Sequence, residues 1–193
     1  VYGQHFARVW EAYACCLMAH YPAQIVFAED VKPDTLKKFK AVLVVDQQVE
    51  FEPDLRNALA AAKAAQVLIL ADGTCRQELV REFTSLGVSF NHFENDRHPA
   101  GDDAAYWRFP AYCRISLPGL VKALSAVMPP PAEVDNDEIF LSERVAGNGR
   151  YLFAVNNTTP LLEPGQMWRA TLCVASRLPV LTQLDIRAGE QPV

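Results

Sequence analysis

Residues 40–73, KAVLVVDQQVEFEPDLRNALAAAKAAQVLILADG, decide the fold of this chain. Residues 41–45 form a continuously apolar run of the kind carried by a strand buried on both faces, and residues 67–70 form a second. Between them Pro53 stands where a first helical residue belongs, and Leu55, Leu59 and Ala62 recur at helical spacing. An alanine run carries the helix to about Ala65. Strand, helix and strand in this order make a parallel βαβ unit, and a sheet of that kind needs helices on both faces.

Upstream, Phe6, Val9, Trp10, Tyr13, Cys16 and Leu17 recur every three or four residues, which predicts a helix over 6–20 with that stripe against the core. Pro22 ends it, residues 25–28 read as a short strand, and Asp34 can cap a brief turn through Phe39. Downstream, Leu79, Val80, Phe83 and Leu86 predict a helix over 75–86, closed by Gly87 in a left-handed conformation, before residues 88–90 return to the sheet. Residues 91–113 mix histidines, acids, Gly101 and aromatics without either period and read as a long loop. Ser116 and Pro118 open a helix over 117–128.

Pro129, Pro130 and Pro131 cannot continue that helix and make a stiff connector. Beyond them the pattern is one of short strands, at 139–144, 151–155, 168–174 and 180–186, with a hairpin turn at Gly147, Asn148 and Gly149. The expected organisation is an α/β domain over 1–128, a proline linker at 129–131 and a small antiparallel β-sandwich-like domain over 132–193.

Composition bounds the function. A chain of 193 residues can bury roughly 70% of its unfolded surface. With 50% hydrophobic and 21% charged residues and a net charge of -5, it reads as a soluble globular protein and a poor match for nucleic acid. No apolar run approaches the roughly 20 residues of a membrane span. Cysteines 15, 16, 75, 113 and 173 are odd in number and form no CxxC pair, so they read as small core residues in a reducing, cytoplasm-like compartment.

Three stretches carry a resemblance: WEAYACCLMAHYPAQIVFAEDV at 10–31, the βαβ run from Phe39 to Gly73, and GRYLFAVNNTTP at 149–160 with LDIRAGEQPV at 184–193. Together they resemble the carboxy-terminal half of a family 42 β-galactosidase, in which a catalytic barrel is followed by an amidotransferase-like trimerisation domain and a small β domain. The resemblance implies a flavodoxin-like, amidotransferase-like three-layer parallel sheet. It also implies a non-catalytic accessory or oligomerisation role beside the remainder of a longer chain, a suspected glycoside-hydrolase barrel, with a homo-oligomer as a possible partner. In that family hydrolysis belongs to barrel acids, so no catalytic residue and no cofactor carries over. Two departures stand out: the fold's opening strand should precede the first helix, where only residues 1–4 stand, and residues 91–113 and 160–179 exceed the family pattern.

Where an amidotransferase-like enzyme mounts its cysteine on the turn after this strand, the chain carries Asp72 and Gly73. Cys75 lies three residues later, at a helix start that would favour a thiolate, and defines a rival reading as a cysteine hydrolase with His92 or His98 as base. His92, Asp96, His98, Asp102 and Asp103 hold metal-ligand chemistry, but at no standard spacing, so they read as a solvated loop and no metal is expected. Tyr106, Trp107, Phe109 and Tyr112 define a third reading, a carbohydrate or small-ligand binding module with stacking rings, set against a satellite core or an interface. Asn156 and Asn157 make overlapping sequons that a turn between strands explains.

Overall fold

The computed structural model describes residues 2–95, 104–137, 139–156, 167–174 and 183–187. It is a mixed helix and strand structure in two compact units, one of Val1–Cys15 with Ala23–Pro129 and the other of Cys16–Pro22 with Pro130–Val193.

In the first unit the βαβ stretch folds as its pattern requires. Strand β1 (Ala41–Val44) pairs in parallel with β2 (Leu68–Ala71), Ala41 opposite Leu68 and Val44 opposite Ala71, and α2 (Pro53–Ala64) forms the crossover. Strand β3 (Thr84–Ser85) extends the parallel sheet in the order β1-β2-β3. Ala58, Leu59 and Ala62 of α2 pack with Val44, Phe51, Val67, Ile69 and Ala71 to form the core, and Phe83 closes it edge-on to Phe51 at 6.0 Å. The helix ends with Gln66 in the left-handed region, φ +63°. Its amide donates to Lys63 O and that of Val67 to Ala62 O, which satisfies two carbonyls the helix would otherwise leave open.

Several sequence expectations change. Ala41, Val42 and Leu43 are half-buried, so β1 is not dry on both faces. Residues 25–28 form no strand; the chain turns there through a 3-10 segment, Ala28–Asp30. The helix expected over 75–86 is confined to α3 (Gln77–Val80), and the sheet resumes at β3 rather than at 88–90. Gly87, at φ +76°, therefore follows a strand and not a helix.

The largest correction concerns residues 91–113. Instead of a loop, the structure has a short α4 (His92–Asn95) and a long α5 (Ala104–Ser125) that carries Pro110 and Pro118 within it. The expected helix over 117–128 is present as the second half of α5, but Pro118, read as its opening, lies inside it, and Cys113, Ser116, Leu120 and Leu124 are buried at three- and four-residue spacing. An apolar stripe of that length stabilises a helix against the hydrogen bonds that proline removes. Gly119 completes the fit, because a Cβ there would fall on the Val88 side chain.

Helix α1 (Tyr2–Met18) is also turned relative to expectation. Of the expected stripe, Phe6 and Trp10 face outward at 67% and 46% exposed, Val9, Tyr13 and Leu17 are half-buried and Cys16 is buried, while Glu11, Ala12, Ala14 and Cys15 are buried beside it. Phe6 stacks on Trp10 and Trp10 leans on Tyr13, each pair at 6.1 Å, so the three rings form a ridge along the outer face.

The second unit is antiparallel, as its short alternating segments suggest. Strands β5 (Ile139–Ala146) and β6 (Gly149–Asn156) pair from Ile139 opposite Asn156 to Ala146 opposite Gly149. A two-residue loop joins them, with Gly147 at φ +58° supplying the left-handed conformation such hairpins need. Strands β4 (Ala132–Val134), β7 (Met167–Val174) and β8 (Gln183–Arg187) form a sheet in the order β4-β7-β8. Ala132, Val134, Ile139 and Leu141 make the small core with Leu152 against it, while Tyr151, Phe153 and Val155 point to the exposed face. Among the described residues no helix is long and apolar enough to cross a membrane.

Candidate functional site

Open parallel sheets receive ligands at the carboxyl ends of their strands, and here that end gathers Asp46 after β1, Asp72 after β2, and Phe90 and His92 beyond β3. The sequence draws attention to Asp72, and the structure explains its presence. The side chain is 1% exposed and its two oxygens hold the ends of three chain segments together. Oδ1 accepts from Asp46 N at 3.2 Å and Oδ2 from Phe90 N at 3.1 Å. The Thr74 hydroxyl lies 2.8 Å from each oxygen. Beside it, Gly73 N donates to Val88 O at 2.7 Å, an approach that leaves no room for a Cβ, since one would fall on Ser89 Oγ. A buried carboxylate held by amide and hydroxyl donors is a cross-link between backbone segments.

Cys75 lies under the same turn. Its Sγ donates toward Val44 O at 3.4 Å and Asp72 Oδ1 at 3.3 Å, and it receives Gln47 N at 3.4 Å. Burial, reinforced by the Asp72 carboxylate, pushes the thiol up to about 12, although the Gln47 amide acts the other way. Among the described residues no histidine stands among its partners. A buried thiol facing a carboxylate is the reverse of the electropositive, partly exposed setting that activates a nucleophile.

Helix α1 brings polar side chains to this edge beside its buried Ala12, Ala14 and Cys15. At three-residue spacing it presents His5, Arg8 and Glu11. Asp46, in the left-handed region at φ +54°, accepts from Arg8 Nη1, from His5 Nδ1 at 3.1 Å and from Gln48 Nε2 at 3.0 Å. Glu11 is fully buried; its Oε2 accepts from Phe93 N at 3.1 Å and its Oε1 meets His92 Nδ1 at 2.9 Å. A carboxylate only accepts, so Nδ1 carries the proton of that bond. Ser116 Oγ is 3.3 Å from the same Nδ1 and donates its own proton to Ser89 O at 3.1 Å.

Glutamate, histidine and serine therefore meet, but not as a nucleophile triad. In a triad the acid binds one ring nitrogen and the serine the other. Here both lie on Nδ1, and Ser116 is buried with its proton committed to a carbonyl. What the constellation does is fix the tautomer of His92 and anchor α1 and α5 to the sheet edge.

Of the residues singled out in the sequence, Phe109 and Tyr112 meet Phe93 edge-on, at 5.1 Å and 5.8 Å. The three rings form a cluster rather than a flat row. The side chains of Tyr106 and Trp107, and Asp96, His98, Asp102, Asp103 and the sequon positions 157–159, lie outside the described residues. Among the described residues no group of three or more histidines, cysteines and acids gathers as a metal site. A groove of about 320 Å³ is lined by Glu50, Phe51, Arg56, Glu78, Leu79, Arg81 and Glu82, with Arg56 paired across it to Glu50 at 2.7 Å. Glu11 and Arg8 were missed by sequence reading because they sit inside a helix whose aromatic stripe is the stronger signal; their spacing with His5 was the available clue. Neither a protein-family model, nor a curated protein, nor a solved structure matches this chain.

Proposed function

We propose that this chain is a non-catalytic accessory domain, built on a flavodoxin-like, amidotransferase-like framework with a small β domain, that supports the remainder of a longer, carbohydrate-active protein. The observation that carries the reading is the filling of the sheet's carboxyl edge from within. Asp72 is committed to the backbone of neighbouring segments, and Arg8 and Glu11 of α1 close the edge above it. A catalytic site would leave charged groups open to a substrate; here they answer one another. The apolar ridge of Phe6, Trp10 and Tyr13, which α1 turns outward, is the kind of surface through which such a domain acts by buried area. The resemblance to family 42 β-galactosidases supplies the glycoside-hydrolase barrel as the part supported.

The test is made on the full-length protein. Deletion of the region should dissociate its assembly in light scattering, and Phe6→Ser with Trp10→Ser should weaken it without unfolding the chain. A particle whose mass is unchanged by the deletion would refute the role. So would a hydrolytic activity lost in Cys75→Ala.

A further inference from the structure

We propose that His20 is an acid-release latch that holds the segment Cys16–Pro22 in the second unit while its imidazole is neutral and lets it go on protonation. Two features meet at this residue. First, His20 closes α1 in the left-handed region at φ +60°, with its amide donating to Leu17 O at 3.0 Å and that of Tyr21 to Cys16 O at 2.9 Å. This is the helix ending that glycine normally serves, and a histidine accepts it only with backbone strain. Second, the side chain is buried, and among the described residues its Nε2 has no hydrogen-bond partner. Strain and an unsatisfied buried nitrogen at one position point to a use for the ring beyond packing.

The neighbours define that use. Unpaired and buried, Nε2 suits a bare lone pair, and a proton placed there would be a charged donor without a hydrogen-bond partner of its own. Burial holds the ring below its ordinary range. The backbone of Asn136 and Ile139 and the carboxylates of Glu133 and Asp137 favour the charged form without reversing that. Tyr21, next in the chain, is raised by burial and by Glu133 and stays neutral throughout. The folded unit thus binds fewer protons at His20 than the released segment does. Its contribution to stability is complete above the free imidazole's value of 6.5 and drains away as the pH falls below it. The window just below 6.5 is set by the histidine's own free value and the downward direction of its shift.

Amide exchange on the full chain tests this between pH 7.5 and 5.0, corrected for intrinsic rates. Protection of the amides at 132–141 should fall by up to about tenfold per pH unit below 6.5, the slope of one linked proton. Amides of β1 and β2 in the first unit serve as the internal reference. In His20→Asn, which tolerates the left-handed backbone and does not titrate, that acid loss should disappear. Parallel loss in wild type and variant overturns the latch, as does flat protection in the wild type. Should the variant not fold, the wild-type ring decides by NMR. An imidazole that titrates as a free one while the 132–141 amides stay protected overturns it; one that resists protonation until those amides open supports it.

Discussion

Removing the Asp72 carboxylate separates a structural cross-link from a functional acid by the sign of the stability change. Asp72→Ala strips the acceptor from two buried amides, Asp46 N and Phe90 N, and from the Thr74 hydroxyl. The hydroxyl can turn elsewhere and the amides cannot. An orphaned buried donor is unfavourable by about 1–3 kcal/mol, so two of them place the loss near 4 kcal/mol. That is a large share of the roughly 5–15 kcal/mol that holds a domain folded. Asp72→Asn keeps the shape, but whichever way the amide is turned its NH2 faces one of the two backbone N–H groups, for a loss of about 2 kcal/mol. Urea unfolding followed by tryptophan fluorescence and circular dichroism, with unchanged m-values, reads both numbers. Functional acids behave oppositely, because sites held for chemistry are commonly strained and their removal stabilises. Either variant more stable than wild type, or Asp72→Ala within about 0.5 kcal/mol of it, would refute the cross-link. A cycle with Thr74→Val should further show a coupling of about 1 kcal/mol, since both side chains share one pair of oxygens.

Arg8→Ala leaves the buried Asp46 carboxylate with His5 and Gln48 alone and should destabilise by about 2 kcal/mol in the same assay, with Arg8→Lys recovering part of it. Phe6→Ser and Trp10→Ser should each change stability by less than about 0.5 kcal/mol, because both rings face outward; a loss of about 3 kcal/mol would restore the aromatic stripe to the core. Gly119→Ala places a methyl on Val88 and should lower stability by about 1–3 kcal/mol, seen as a reduced melting temperature. Cys75, with its thiol pushed up to about 12, should label with iodoacetamide at neutral pH far more slowly in native protein than in urea; comparable rates in the two conditions would contradict its burial.

The parts of the fold that were legible are those where one period dominates. In 40–73 the apolar runs, the proline at the first helical position and the alanine run agree, and β1, α2 and β2 appear within a residue or two of expectation. The hairpin of β5 and β6 was legible because Gly147 and Asn148 suit its two-residue turn. The second half of α5 was legible as a helix over 117–128, while its first half was hidden by composition. Its aromatics up to Cys113 read as loop and Pro118 as a helix start, and only the burial of Cys113, Ser116, Leu120 and Leu124 reveals the continuous stripe that runs through both. In α3 the error ran the other way: helical spacing at Leu79, Val80, Phe83 and Leu86 served a short turn and a strand instead, since four apolar residues over eight positions fit either.

Helix α1 carries the wider lesson, because its orientation decides what the site can be. Amphipathic reading assigns the face with most apolar area to the core, which is correct when the surface to be covered is apolar. The surface under α1 is the carboxyl edge of a parallel sheet, where Asp46 brings a charge and the amide of Phe93 an open donor. Such an edge is satisfied by cations and acceptors, and Arg8, His5 and Glu11 supply them. The aromatic face is then left for solvent or a partner. The same choice that closes the ligand end of the sheet therefore creates the apolar ridge on the outside.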